Sequence, residues 1–169
     1  SRGLGDVYKR QVESHDTYCN AHESASLTDD QIRTGWVFLT ARQNSVPLFF
    51  SRPMNSTREN YWGDNLLGKR GNDEFFHPEV AAVNKFRQAM KGQKEDIQTT
   101  ENGDVLVVNR GKKGAAIVNI ADFASFVDVP TGLPAGTYRD VVYGHEFKVK
   151  GGRLHGLTAP HRTYILQKK

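Results

Sequence analysis

The hydrophobic periodicity of the chain changes near residue 97, and that change restricts the fold more than any other feature. Before it, apolar residues recur at helical spacing; after it, they come in short β-branched or aromatic runs. In "SLTDDQIRTGWVFLTARQ", Thr28 followed by Gln31 makes a capping box, and Asp29 and Asp30 fall in the first turn, where the helix dipole favours anions. Ile32, Trp36 and Leu39 share one face, so the spacing predicts a helix over about 28–43. "SVPLFFSR" comes next, a continuously apolar run that predicts a strand over 46–52 buried on both faces. "HPEVAAVNKFRQAMKG" predicts a second helix. Pro78 suits its first turn, Val80, Val83, Phe86 and Met90 line one face, and Gly92 stops it.

Beyond the change of period stand "DVLVVNR", "GAAIVNIA", "SFVDVP", "GTYRDVVYG", "HEFKVKGG" and "RTYILQK", separated by turn signals such as "ENGD", "GKKG" and "LPAG". Short strands at such regular spacing indicate an antiparallel sandwich. The chain therefore divides into an α/β part, residues 12–92, and an all-β part, residues 93–169. The α/β part holds only two strand–helix units, and the 46–52 strand has no parallel partner inside it. A parallel sheet needs several neighbours, so this part reads as the tail of a larger parallel structure. Residues 1–11, "SRGLGDVYKRQ", combine two glycines with three basic residues and contrast sharply with the patterned sequence from Val12 onward. They are read as a non-native leader and set aside.

Bulk properties exclude several classes. At 37% apolar and 25% charged residues the chain is globular rather than disordered. No apolar run approaches the roughly 18–20 residues of a membrane-spanning helix. The net charge is +4, but no basic stripe forms, so neither nucleic acid nor a membrane is an expected partner. A single cysteine, Cys19, excludes an internal disulfide framework and a Cys-based zinc site.

The densest chemistry lies in "VESHDTYCN", residues 12–20. Read as the end of a parallel strand entering a loop, it puts His15 and Asp16 where α/β barrels carry function, at the C-terminal ends of strands. A carboxylate beside an imidazole there can act as acid or base, bind a metal, or take the paired hydroxyls of a sugar.

"VESHD" resembles the fourth short signature of the α-amylase family, glycoside hydrolase family 13. The ordered series "VESHDTYCN", "SLTDDQIRTGWVFLTARQNSVPLFFSRP", "GDNLLGKRG" and "AAVNKFRQAMKGQ" is similar to the seventh and eighth β/α units of secreted α-amylases of the Bacillus subtilis type. The later β-rich part is similar to their C-terminal all-β domain. The resemblance covers about residues 12–169. It implies the C-terminal end of a (β/α)₈ barrel followed by a Greek-key antiparallel β-sandwich, from an enzyme that hydrolyses α-1,4-glucosidic bonds in starch with retention.

By the same resemblance, Asp16 matches the third catalytic carboxylate, which steadies the distorted sugar in the transition state. His15 matches the signature histidine that binds hydroxyls of that sugar, and Asn20 matches a position at the substrate cleft. The family's nucleophile and acid/base lie on earlier barrel strands, so this chain alone is expected to be inactive. Its calcium is expected outside this chain, and no metal ligand is assigned here. Ser14 stands where many members have Asn, which argues against chloride activation. A secreted monomer acting on starch or malto-oligosaccharides is implied. A transglycosylase or oligo-α-glucosidase of the same family, or a non-catalytic starch-binding module, are the alternatives.

Blander roles fit the other polar residues. Glu13 should point away from Asp16, because side chains alternate along a strand. Cys19 has no second histidine to activate it and reads as a buried filler. His22, Glu23, Asp29 and Asp30 could suggest calcium, but helix capping explains the two aspartates better. Tyr61 and Trp62 fit either stacking on a sugar ring or packing of the 53–73 loop.

Overall fold

A computed structural model describes residues 9–64 and 68–168. The capping box forms as expected. Thr28 accepts a hydrogen bond from the Gln31 amide at 3.3 Å, and the Gln31 side chain accepts one from the Thr28 amide at 3.0 Å. Helix α1 (Asp29–Ala41) runs from this cap. The second helix, α2 (Pro78–Ala89), starts at His77, whose Nδ1 accepts from the Glu79 amide at 3.2 Å. Its predicted apolar face is buried throughout, from Val83 and Phe86 at 0% exposure to Met90 at 3%.

Two strands precede these helices, and here the sequence reading needs correction. β1 (Lys9–Gln11) lies inside the segment set aside as a leader and pairs in parallel with β2 (Val46–Leu48), Lys9 opposite Val46 and Gln11 opposite Leu48. "KRQ" has no apolar residue to mark it as a strand. What recruits it is backbone: β2 needs a hydrogen-bonding neighbour. β2 is also shorter than 46–52 and is not buried on both faces, since Val46 and Leu48 are 36% and 40% exposed. Burial on both faces requires a layer on each side, and one neighbouring strand beside α1 does not supply that. The order β1, α1, β2, α2 is two successive β/α units. Val12, just past β1, packs so closely on α1 that a Cβ at Gly35 would stand 2.9 Å from its Cγ1.

The remaining strands form two four-stranded antiparallel sheets. One has the order β10 (Thr163–Gln167), β5 (Gly114–Asn119), β4 (Val105–Arg110), β3 (Glu95–Thr99). The other has the order β6 (Ser125–Pro130), β9 (Arg153–Thr158), β8 (Glu146–Lys150), β7 (Gly136–Arg139). In the second sheet β7, β8 and β9 are consecutive neighbours, while β6 lies beside β9 rather than beside β7. That is a Greek key, as expected. β3 and β9 have no clear mark in the sequence. "EDIQT" is polar, and "RLHGLT" carries a histidine and a glycine mid-strand. That glycine is required, because a Cβ at Gly156 would run into the Phe147 ring.

The first sheet is buried on both faces. Val107, Ile117 and Leu166 point into the sandwich against Val127, Phe147 and Leu154. Their neighbours Val108, Val118 and Ile165 point the other way, against Trp36, Val37, Val83 and Phe86 of the helices. The result is three layers, and it accounts for the unbroken apolar character of "GAAIVN", buried at every position.

Buried polar groups tie the helices to this sheet. The Arg110 guanidinium donates to the carbonyls of Ala41 at 2.8 Å and Met90 at 3.0 Å, where both helices end. Cations there satisfy carbonyls that have no partner within the helix. Burial pushes the ionisation of Arg110 and Arg87 down from the usual range. Arg42 donates to Glu95 on β3 at 2.8 Å. Glu79, fully buried in the first turn of α2, accepts from the Tyr143 hydroxyl at 2.5 Å and the Thr163 amide at 3.3 Å.

Candidate functional site

β1 and β2 are parallel, so the loops beyond them leave the same edge of the sheet. The first carries Glu13 to Thr28 and the second carries Phe49 to Trp62. The first loop is built on hydroxyl and carboxylate contacts. Ser14 and Thr17 bond reciprocally: the Ser14 amide donates to Thr17 Oγ1 at 2.9 Å, and the Thr17 amide donates to Ser14 Oγ at 3.3 Å. This starts a wide helical turn, Asp16–Asn20, closed by a bond from the Ala21 amide to the Asp16 carbonyl at 2.7 Å. Such π-type turns are rare and frequent at functional sites.

The turn brings the three sequence-predicted residues together. The Asn20 amide donates to Asp16 Oδ1 at 3.0 Å, because residues four apart share a face. His15 Nε2 stands 3.2 Å from the same oxygen. The His15 and Asp16 side chains are 69% and 70% exposed, so both face solvent. One carboxylate oxygen is engaged twice, and among the described residues Oδ2 has no hydrogen-bond partner. An acceptor flanked by an amide donor and an imidazole suits a pair of vicinal hydroxyls, which donate and accept together.

Beneath this exposed trio the loop is fixed by a buried ion pair. Glu13 points inward, 3% exposed, and Arg52 grips it with two bonds, Nε to Oε2 at 2.9 Å and Nη2 to Oε1 at 2.8 Å. The Ser24 hydroxyl donates to the same carboxylate at 2.6 Å. Arg52 also lies over the Tyr18 ring at 4.4 Å and donates to the Ser24 carbonyl at 3.2 Å. Burial opposes the Arg52 charge, but the hydrogen bonds and charge of Glu13 outweigh it and push the guanidinium above its usual range. Sequence reasoning misses Arg52. It ends the apolar run "PLFFSR", and nothing in the spacing connects it to a glutamate 39 positions earlier.

The other polar residues separate cleanly. Cys19 is buried at 4% exposure, and burial, then the Glu13 charge, pushes its thiol up, away from a reactive thiolate. Asp30 pairs with Arg33 at 2.7 Å, and Asp29 stands 3.6 Å from Arg52. Among the described residues no three His, Cys, Asp or Glu side chains converge on a point where a metal ion could sit. Tyr61 packs in the loop, stacked on His22 at 3.8 Å and edge-on to Tyr18 at 6.0 Å. Trp62 instead is 49% exposed and lines, with His15, Phe50, Met54 and Arg70, a hollow of about 240 Å³.

Residues 96–166 match the family described as alpha amylase, C-terminal all-beta domain. The chain is 40% identical over 167 residues to an α-amylase of Butyrivibrio fibrisolvens, an alignment that covers 94% of this chain and 17% of that protein. It is 33% identical over 171 residues to an α-amylase of Clostridium acetobutylicum, covering 98% of this chain and 21% of that protein. The second alignment reaches into residues 1–11, the segment in which β1 lies. In structure the chain is similar to α-amylase I from Eisenia fetida, with a TM-score of 0.68 and 15% identity over 95% of this chain and 41% of that one. The chain thus spans about a fifth of the curated relatives it matches. The chain is a relative of these α-amylases, and its residues 96–166 match the α-amylase C-terminal all-β domain.

Proposed function

We propose that this chain supplies the end of the catalytic barrel and the C-terminal domain of a starch-cleaving α-amylase, and that Asp16, His15 and Asn20 form part of its sugar-binding subsite. The observation that carries this reading is the exposed Asp16 carboxylate, held at one oxygen by Asn20 and His15 on the C-terminal side of β1. β1, α1, β2 and α2 are then the last two β/α units of the barrel.

In this reading Asp16 accepts hydrogen bonds from hydroxyls of the sugar whose bond is cleaved. As the ring flattens and gains positive charge, those bonds and the carboxylate charge strengthen, so the transition state gains more than the substrate does. Such hydroxyl contacts supply several kcal/mol in retaining glycosidases. His15 donates to a neighbouring hydroxyl, and Asn20 keeps the carboxylate turned toward the sugar. Retention also needs a nucleophile and an acid/base about 5–5.5 Å apart. Glu13 cannot serve, because Arg52 holds it in the interior. Both groups come from other parts of the whole protein, which works outside the cell as a monomer, with any calcium held by residues outside this chain.

The test is a segment exchange. The purified chain should release no reducing sugar from soluble starch above a no-protein control. Placed in the Butyrivibrio fibrisolvens α-amylase in exchange for the 167-residue aligned segment, it should support starch hydrolysis. Activity of the isolated chain, or a folded but inactive exchange protein, would defeat the proposal.

A further inference from the structure

We propose a binding site for a phosphate dianion, free or as the head of a small monoester, in the cleft where the ends of both helices meet the first four-stranded sheet. The cleft has a volume of about 720 Å³ and lies between the α1–β2 turn, the last turn of α2 and β4. Its lining carries Arg87, Lys91 and Arg110 and, among the described residues, no carboxylate. The Asp16 loop follows β1, whereas Gln43 and Asn44 of this cleft precede β2, so the two places lie at opposite ends of the parallel strands. The proposal does not depend on the sugar site.

The balance of charge points to the ligand. Three cations stand at the ends of two helices, and each helix end is equivalent to about minus half an elementary charge. About two positive charges are left over. Glu95, the carboxylate whose charge Arg110 feels, is already engaged: it accepts from Arg42 at 2.8 Å and from the Gln43 amide at 2.7 Å. Buried charges are ordinarily paired with an opposite charge. Here Arg110, 3% exposed, donates only to the carbonyls of Ala41, Met90 and Gln93. Arg87, half-buried, donates to the carbonyls of Thr40, Arg42 and Ser45 and to the Ser45 hydroxyl. Burial lowers the ionisation of both guanidiniums; at Arg110 the Glu95 charge offsets part of this and the Arg87 charge adds to it. The two cations therefore sense each other across the lining, and an anion beside them relieves that repulsion.

Arg110 stays behind its carbonyls and supplies charge. Contact falls to Arg87, whose Nε donates to nothing among the described residues and is not sealed in the interior, and to the exposed Lys91. Around them stand the exposed amides of Asn44, Asn84 and Gln88. Donors spread over two helix ends and a turn suit an anion with several oxygens, and a guanidinium fork matches phosphate better than it matches a single halide ion. The carboxamides also carry acceptor oxygens, which can meet the hydroxyls of a monoester. The filled cleft would bridge the α1–β2 turn, α2 and β4, so the ligand stabilises the joint between the helices and the sheet by mass action.

The test titrates the full ¹⁵N-labelled chain with inorganic phosphate, glycerol phosphate or chloride at constant ionic strength. Phosphate should shift the backbone amides of Asn44, Asn84, Lys91 and Gly92 saturably, with a Kd of about 1 mM. Chloride should not shift them saturably. Lys91→Glu reverses an exposed charge at the cleft, and it should weaken phosphate binding by about fivefold or more while circular dichroism matches the parent chain. Arg87→Lys keeps a charge but loses the fork, and it should weaken binding as well; if that variant fails to fold, Lys91→Glu decides. Tighter binding of glycerol phosphate than of phosphate, with the same dependence on Lys91, upholds the site and assigns a monoester; weaker binding upholds it and assigns the free anion. The site is overturned if phosphate gives no saturable shift up to about 20 mM, about twenty times the expected Kd. It is also overturned if chloride acts equally, or if Lys91→Glu binds as the parent does.

Discussion

Removing the Arg52 guanidinium should destabilise the site-bearing half of the molecule severely, and removing Glu13 as well should restore much of the loss. Arg52 makes two of its bonds to a carboxylate that is 3% exposed, and among the described residues the only other partner of that carboxylate is the Ser24 hydroxyl. Arg52→Met keeps an apolar stem against the Tyr18 ring but leaves Glu13 charged in a buried place. Breaking a buried pair from one side costs about 3–5 kcal/mol, most of it the desolvation of the orphaned charge. Glu13→Gln in the same chain removes that charge and should recover about half of the loss. The assay is urea unfolding monitored by tryptophan fluorescence, since Trp36 and Trp62 both lie in this half. Coupling between the two substitutions should exceed about 1 kcal/mol in a double-mutant cycle. If Arg52→Met costs less than about 1 kcal/mol, or the double variant is no more stable than the single, the ion pair does not hold the loop.

Further expectations concern the helix–sheet joint and the cap. Tyr143 is pushed up from the ordinary tyrosine range, first by burial and then by its bond to Glu79. A raised native value means the folded state keeps its proton while the unfolded chain ionises near pH 10, so this contribution is complete below about pH 10 and falls as pH rises further. Tyr143→Phe should therefore flatten part of the alkaline loss of stability, and at neutral pH it should cost about 1.5–3 kcal/mol by stripping a buried carboxylate of a hydrogen bond. Equilibrium urea unfolding across pH 7–11 checks both. Thr28→Ala removes the side-chain acceptor of the α1 cap and should cost about 1 kcal/mol in the same assay. An effect below about 0.3 kcal/mol would mean that packing of α1, not its cap, fixes the start of the helix.

The features legible in the sequence are those that local chemistry encodes. Thr28 with Gln31, Pro78, and the Val80–Phe86 stripe are short-range signals, and each helix starts and faces as they dictate. The six β-runs mark strands through their β-branched and aromatic residues and the turn signals between them. β1 and β3 escape sequence reasoning for the opposite reason: "KRQ" and "EDIQT" are polar, and they are strands only because β2 and β4 offer them backbone partners. The apolarity of the run after Ser45 suggests two covering layers, yet Val46 and Leu48 stay open, because apolar composition does not say how many layers the fold supplies.

The site divides in the same way. His15, Asp16 and Asn20 lie within six positions, so their meeting on one turn is a local event. The width of that turn is not foreseeable, since it depends on Ala21 bonding back to Asp16 and on Ser14 and Thr17 locking the entry. Arg52 comes from another loop and has no local mark. The hollow beside His15 needs Trp62 and Arg70 brought in by the fold. Phe126 stands in plain view in "SFVDVP", but only the sheet order shows that its strand is an edge.

The most direct measurement is starch turnover by the exchange protein carrying Asp16→Asn. Asp16 is exposed and bears no packing, so the variant should fold and unfold as its parent does. Its kcat should fall by about 10²–10³-fold, the usual loss when one transition-state contact is removed. An exchange protein that cleaves starch equally well with Asn at position 16 would contradict the assignment of this carboxylate, and with it the reading of the whole loop as a sugar-binding site.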